Sequence, residues 1–124
     1  MNTEELRIGN RVRYNGRIII VKNITAKGIN LEFDKKTFAV INWIPVNDIE
    51  PVILDSKIIH RLGFEYLHQK AFLFRKHIPS LYLIRKLDTF YLSVKQEHIE
   101  IASFKYVHEL QNLMFDLWRI KLYK

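Results

Sequence analysis

The side chains that could carry acid–base or metal chemistry in this sequence are five histidines and thirteen carboxylates, since cysteine is absent. The histidines are His60, His68, His77, His98 and His108. No two of them lie four residues apart and no H-E-x-x-H run occurs, so no single helix turn presents two imidazole ligands. Any metal site would have to recruit distant carboxylates. We therefore expect neither a metal nor another cofactor.

Nucleophilic and phosphate chemistry also lack a local motif. The sequence has no G-x-S-x-G elbow, and its four glycines do not form a loop that could cradle a phosphate group. Spacing alone leaves open a Ser-His-Asp triad assembled in space. We expect a protein that is not an enzyme.

The last stretch of the chain has a strong helical period. At about 100° per residue, its polar side chains form one narrow stripe, made of Lys105, Glu109, Asn112, Asp116 and Arg119. Apolar side chains occupy roughly 220° of the circumference, whereas an ordinary surface helix shows a stripe of ~100°. We predict a helix over 104–122 with the polar stripe towards water. Its apolar arc is wider than one sheet face can cover.

One aromatic flank of this helix is the candidate protein interface. The flank carries Phe104, His108, Gln111, Phe115 and Leu122. Either the same flank of a second copy covers it in a homodimer, or the N-terminal half of the chain folds back over it. His108 and Gln111 are the side chains most suited to a site. Polar residues at such a border more often satisfy backbone groups of a neighbouring element.

Short alternating segments fill the first half of the chain. The predicted strands are Arg11–Tyr14, Arg17–Ile24, Ile29–Phe33 and Thr37–Ile41. Asn15-Gly16 has the residues that a two-residue type I′ turn favours, so the first two strands should form a hairpin. A turn at Asp34–Lys36 separates the last two. We predict a small SH3-like β-barrel over residues 1–54, with an edge strand or irregular exit between Pro45 and Pro51.

The second half, residues 55–124, is predicted to be α+β. Asp55 and Ser56 are good caps for a short helix over Lys57–Leu62, and Gly63 suits the position after its end. Three or four strands should follow as an antiparallel meander, at residues 71–75, 81–86, 90–94 and 98–101. Ser103 is the predicted cap of the last helix, which would pack on one face of this meander. The two halves could also form one continuous domain.

Basic side chains exceed acidic ones by seven, which favours polyanionic partners if the charge lies on one face. The predicted barrel offers a candidate polyanion contact, made of Arg11, Arg13, Arg17, Lys22, Lys35 and Lys36. Tyr14 and Phe38 are interleaved with this set. The charges are scattered singly, however, which is also typical of a surface that keeps a protein soluble.

Size and hydropathy indicate an ordinary globular protein. The chain has 124 residues, 48% of them hydrophobic, and no apolar run approaches the ~18 residues of a membrane span. Its first residues, Met1–Glu5, are acidic and do not resemble a signal peptide. We expect a cytoplasmic protein without a membrane partner.

Several short motifs together resemble those of a known family. They are Glu5-Leu6-Arg7-Ile8-Gly9-Asn10, Asn15-Gly16, Ile49-Glu50-Pro51, Leu62-Gly63-Phe64-Glu65, Ile99-Glu100-Ile101, and the closing run from Lys105 to Leu113. The chain resembles a family of small uncharacterised proteins from phages, prophages and mobile elements of gut-type bacteria. It departs from that family at Glu109, where a Gln is expected, and beyond Phe115, where a Thr-Gly ending is expected. The resemblance implies a phage-associated setting in a bacterial host and no mechanism.

Two hypotheses about function follow. The first is a phage-type accessory protein that acts as a non-enzymatic protein-binding or assembly module, through the barrel, the helix flank or both. The second is a small-barrel protein that binds nucleic acid without sequence preference. Binding to phosphates should weaken steeply as salt rises, whereas an apolar protein contact should hardly change.

Overall fold

The structure is a computed structural model that describes residues 3–32, 40–68, 71–74, 81–94 and 100–122. The chain divides into two compact units, residues 1–53 with 106–123 and residues 54–105 with Lys124. Each unit contains one five-stranded antiparallel sheet. The predicted α+β class is confirmed. None of the helices in the described ranges is long and apolar enough to cross a membrane.

The first sheet is a meander with a returning last strand. Its strands are β1 (Arg11–Tyr14), β2 (Arg17–Thr25), β3 (Gly28–Glu32), β4 (Val40–Ile44) and β5 (Glu50–Pro51). Their order is β4-β3-β2-β1-β5, and every pair is antiparallel. A 3₁₀ turn at Val46–Asp48 leads into β5. The described strands do not close into a barrel, because β4 and β5 remain the two edges. The predicted turn at 34–36 lies outside the described residues.

The predicted β1–β2 hairpin is confirmed. Tyr14 pairs with Arg17 around a two-residue turn, in which Asn15 has φ 49° and Gly16 has φ 75°. The alternation in β1 points Val12 into the core. That core consists of Leu6, Val12, Ile19, Val21, Ile29, Leu31, Ile44 and Ile49.

The second sheet is an uninterrupted antiparallel meander. Its strands are β6 (Glu65–His68), β7 (Ala71–Phe74), β8 (Leu81–Lys86), β9 (Thr89–Val94) and β10 (Glu100–Phe104), in the order β10-β9-β8-β7-β6. The sequence predicted only three or four strands. Strand β6 was missed because its segment lacks clear alternation, and its identity depends on pairing with β7. Every residue of β7 is buried.

The short helix predicted after Asp55 is confirmed and forms α1 (Ser56–Arg61). The Oδ1 of Asp55 accepts a hydrogen bond from the Ile58 backbone N–H at 2.9 Å, which satisfies one of the unpaired amides of the first turn. After the helix, Gly63 takes a positive φ of 103°. This is the left-handed conformation predicted for the residue that follows the helix end.

The last helix, α2 (Val107–Trp118), is shorter than predicted at both ends. Ser103 does not cap it, because Ser103 and Phe104 continue β10 and pair with β9. At the other end, Arg119 adopts a left-handed φ of 57° and stops the helix. Helix α2 belongs to the first unit and contacts β1, whereas the prediction placed it on the meander.

Candidate functional site

Gln111 ties helix α2 to two other segments of the first unit. Its side chain is 1% exposed, and Nε2 donates to the backbone oxygens of Gly9 at 3.2 Å and Leu122 at 2.6 Å. Its Oε1 accepts from the backbone N–H of Arg11 at 2.9 Å. A buried amide with both ends satisfied stabilises the fold, since each lost partner would remain buried and unpaired. Gln111 therefore satisfies backbone groups of neighbouring segments.

Two further residues of α2, Asn112 and Asp116, extend this contact with the N-terminal segment. The Nδ2 of Asn112 donates to the Glu5 backbone oxygen at 2.8 Å, and its Oδ1 accepts from Asn10 Nδ2 at 2.8 Å. The guanidinium of Arg7 donates to both carboxylate oxygens of Asp116, with Nη2 2.8 Å from Oδ2. This hydrogen bond holds the pKa of Asp116 below its usual value. We call the contact of Gln111, Asn112 and Asp116 with residues 5–11 the N-terminal clamp.

The N-terminal clamp adds contacts within the protein to part of the polar stripe. Periodicity placed the stripe towards water, and Asp116 is exposed as predicted, although it also pairs with Arg7. Asn112 differs, because it is half-buried against Glu5 and Asn10. Residues of the opening Glu5–Asn10 motif and of the closing run from Lys105 to Leu113 hydrogen-bond to each other. Their spacing therefore has a structural explanation, in which one motif anchors the other.

His108 is the buried ionisable group beside the clamp. It is 3% exposed, its ring stacks on Tyr106 at 6.0 Å, and its Nε2 lies 3.7 Å from a carboxylate oxygen of Glu5. Its Nδ1 has no hydrogen-bond partner among the described residues. Burial lowers the pKa of His108, and the nearby carboxylates of Glu109 and Glu5 only partly oppose that shift. The imidazole is therefore neutral at physiological pH.

An open groove of about 280 Å³ adjoins His108. It is lined by Glu4, Glu5, Arg7, His108, Glu109 and Asn112. This lining combines three carboxylates and an imidazole with one guanidinium, groups that suit proton transfer and ion pairing. In the described ranges, no cluster of three or more histidine or carboxylate side chains could hold a metal ion.

The candidate interface does not form one exposed patch. Phe104 lies in β10 of the second unit, while the other members lie in the first unit. The buried members are Phe104, His108, Gln111 and Leu122. Phe115 is half-buried, and Arg119 lies over its ring at 5.1 Å. Burial of these four side chains within one chain agrees with the intramolecular alternative, and the homodimer stays a prediction.

The candidate polyanion contact is partly described. Arg11 and Arg13 lie on the face of β1 opposite buried Val12, where Arg13 pairs in register with Glu50. Arg11 is opposite Ile20, which is itself opposite Glu32. Acidic side chains thus share both rows with the arginines, which lowers the local positive potential.

The other members of that set add little. Arg17 is exposed after the β1–β2 turn, and Lys22 is exposed at the register shift in β2. Lys35 and Lys36 lie outside the described residues. The first unit contains ten basic and eight acidic residues, and the second contains ten and five. Most of the net charge is therefore not in the unit that holds these candidates.

Trp43 is a candidate contact residue that sequence patterns did not indicate. It is 52% exposed and has a left-handed φ of 61°. The Oδ1 of Asn30 accepts from the Trp43 backbone N–H at 3.1 Å, where the β3–β4 register shifts between Ile29 and Leu31. A Cβ on Gly28 would lie 2.8 Å from the Trp43 carbonyl carbon. This arrangement depends on strand pairing, so no short motif could have revealed it.

Three comparisons with known proteins found no match. No family model matches the chain, and no significant match appears among curated proteins or solved structures.

Proposed function

We propose that the protein is a non-enzymatic protein-binding module whose first unit contacts its partner through Trp43. The observation that carries this proposal is a large indole ring held half-exposed on a left-handed backbone position. Such a position costs about 1–3 kcal/mol for a residue other than glycine. Tryptophan is also the residue type most enriched among the side chains that dominate protein interfaces.

The surroundings of Trp43 support a preorganised contact. Gly28 lets the Trp43 backbone approach closely, and Asn30 holds its N–H at 3.1 Å. The ammonium of Lys27 lies 5.8 Å from the centre of the indole ring. A side chain on a restrained backbone loses less conformational entropy on binding, which raises affinity for a partner with an apolar pocket.

The finer architecture and setting form part of the proposal. We infer that the first sheet belongs to the SH3-like small-barrel class, since β5 returns to pair with β1 after a 3₁₀ turn. A phage-type accessory role in the bacterial cytoplasm rests on the resemblance alone. The half-buried Phe115 is the side chain of the candidate interface through which a second copy would make contact.

A binding experiment with matched variants tests the proposal. Native protein, Trp43→Ala and Leu117→Ala would be immobilised and exposed to host extract, and retained proteins would be identified by mass spectrometry. Leu117 is a suitable control because it is 46% exposed on α2 of the same unit. We expect a partner that binds native protein and Leu117→Ala but is lost with Trp43→Ala. A partner retained equally by Trp43→Ala, or none retained by native protein, overturns the proposal.

Nucleic-acid binding is the second candidate, and the Lys27–Trp43 pair favours it. An aromatic platform beside an ammonium group can stack a base while it contacts the phosphate. In a Trp118→Phe background, Trp43 is the remaining tryptophan, so its fluorescence reports stacking directly. Quenching by single-stranded oligonucleotide that disappears at moderate salt would support this second function. No quenching at low salt would remove it.

A further inference from the structure

The tip of the β8–β9 hairpin displays a leucine in an unfavourable position. Lys86 pairs with Thr89, which leaves Leu87-Asp88 as a two-residue turn. Leu87 has φ 58°, a conformation that glycine and asparagine adopt more readily, and its side chain is 93% exposed. Neither the turn geometry nor burial in the chain explains a leucine here.

The turn is held by side-chain contacts on both sides. The Nε of Arg85 donates to the Leu87 carbonyl oxygen at 3.1 Å. The carboxylate of Asp88 accepts from the Thr89 hydroxyl at 3.3 Å and lies 3.4 Å from the Lys105 ammonium. Leu87 is therefore displayed on a restrained turn and does not depend on a flexible loop to become exposed.

The charges around the tip are mainly positive. Arg85, Lys86 and Lys105 outnumber Asp88, and the second unit as a whole has ten basic against five acidic residues. Arg85 lies 6.0 Å from the Phe90 ring, and Lys86 lies 4.9 Å from the Tyr91 ring. The tip thus combines one projecting apolar side chain with a collar of cations, which we call the basic collar: Arg85, Lys86 and Lys105.

We propose that this hairpin tip binds an anionic lipid surface, with Leu87 inserted among the acyl chains and the basic collar at the headgroups. A bilayer accepts an apolar group without a preformed pocket and attracts nearby cations electrostatically. A protein pocket fits less well, because leucine is under-represented among interface hot spots and such residues lie within a surrounding ring of contacts. Here Leu87 is flanked in sequence by charged Lys86 and Asp88.

Vesicle sedimentation tests this proposal with full-length protein. Native protein should bind phosphatidylcholine vesicles that contain phosphatidylglycerol and should not bind phosphatidylcholine alone. Leu87→Asn should weaken binding roughly tenfold or more, since several buried methyl and methylene groups are lost. Arg85→Gln and Lys86→Gln should each weaken it roughly fivefold. Asparagine suits the left-handed position of Leu87, so the loss cannot be attributed to unfolding.

Two control variants separate this contact from other surfaces. Leu117→Asn removes another exposed leucine and should bind vesicles as the native protein does. Trp43→Ala should also bind normally, which keeps this proposal independent of the protein-binding function. Absence of native binding to phosphatidylglycerol vesicles overturns the proposal. Unchanged binding by Leu87→Asn also overturns it, because the contact would then be electrostatic without insertion.

Discussion

The two-residue turns at Asn15-Gly16 and Leu87-Asp88 both place their first residue at a positive φ, but only the first turn uses residue types that favour it. Both join antiparallel strands through two residues, and both begin with a residue at a φ near 50–60°. Asparagine and glycine meet that requirement at low cost, whereas leucine does not. The first turn also has a side-chain contact, since the Nη1 of Arg13 donates to the Gly16 carbonyl oxygen at 3.3 Å, but its residues already suit their backbone. The second is held by Arg85 and Lys105 and projects an apolar side chain.

The same contrast recurs within the first sheet, between Gly28 and Trp43. Gly28 has φ 148° and packs against the backbone of Trp43, which has φ 61°. Glycine there is a structural requirement, while tryptophan in a left-handed conformation is not what the fold alone would favour. Residues that suit their backbone explain folding, and residues that do not suit it point to contacts outside the chain.

Gly28→Ala should have the largest effect on stability. The added Cβ would lie 2.8 Å from one backbone atom of Trp43 and 3.0 Å from another, and the backbone conformation disfavours any side chain. We expect a loss of about 2–4 kcal/mol in the free energy of unfolding, measured by urea denaturation.

The matched control is Gly16→Ala, because no atom of the described ranges lies within 4 Å of its added Cβ. That variant should lose only about 1 kcal/mol, for backbone strain alone. If the two alanine variants lost equal free energy of unfolding, the close approach of Gly28 to Trp43 would not contribute to stability.

Gly16→Val comes next in size. A β-branched side chain at φ 75° is strained even in open space, so the free energy of unfolding should fall by about 1–2 kcal/mol. Thermal unfolding followed by circular dichroism measures this loss. An unchanged melting temperature would mean that the turn tolerates residues other than glycine and that its contrast with Leu87-Asp88 is not energetic.

Local patterns predicted the parts of the fold that are determined locally. The Asn15-Gly16 hairpin and the Asp55 cap of α1 depend on residues within a few positions of each other, and both are present. Ser103 is a good cap by residue type, yet its pairing with Tyr91 in β9 keeps it in a strand. Long-range pairing decided the start of α2, and a helical period cannot report it.

The contacts of the candidate site were harder to predict from the sequence, because they too depend on long-range pairing. Periodicity correctly separates the polar side of α2, but a polar stripe usually indicates water. Asp116 does face water, but Asn112 is half-buried against Glu5 and Asn10, more than a hundred positions away in the chain. Likewise, Trp43 and Leu87 are ordinary hydrophobic residues in the sequence. Their positive φ angles and exposure arise only after the strands pair.

A reciprocal exchange sharpens the comparison of the two turns. Leu87→Asn should raise the free energy of unfolding by about 0.5–1 kcal/mol, since asparagine tolerates the left-handed conformation. Asn15→Leu should lower it by a similar amount, about 0.5–1 kcal/mol. Urea denaturation of both variants measures the two signs. If Leu87→Asn destabilised the protein, the leucine would have a folding role, and the reason for assigning it to an external contact would disappear.

The smallest expected effect concerns the pH dependence that only one turn has. Asn15-Gly16 carries no ionisable group, whereas the hydrogen bond and charge of Lys105 lower the pKa of Asp88 below its model-peptide value of 3.8. A carboxyl group with a lower pKa in the folded state stabilises folding above the unfolded value, and this contribution is lost as pH falls below 3.8 through the folded pKa. Asp88 is fully exposed, so the change in global stability should be small.

Carboxyl ¹³C NMR titration should show Asp88 ionising below pH 3.8 in native protein, and Lys105→Met should raise its pKa towards that value. Protonation of Asp88 should weaken the contacts that hold the turn. The backbone amide of Leu87 should then exchange faster in acid than its intrinsic rate predicts, whereas the amide of Gly16 should follow its intrinsic rate. An Asp88 pKa unaffected by Lys105→Met would show that the ion pair does not hold the second turn, and the two turns would then differ in residue type alone.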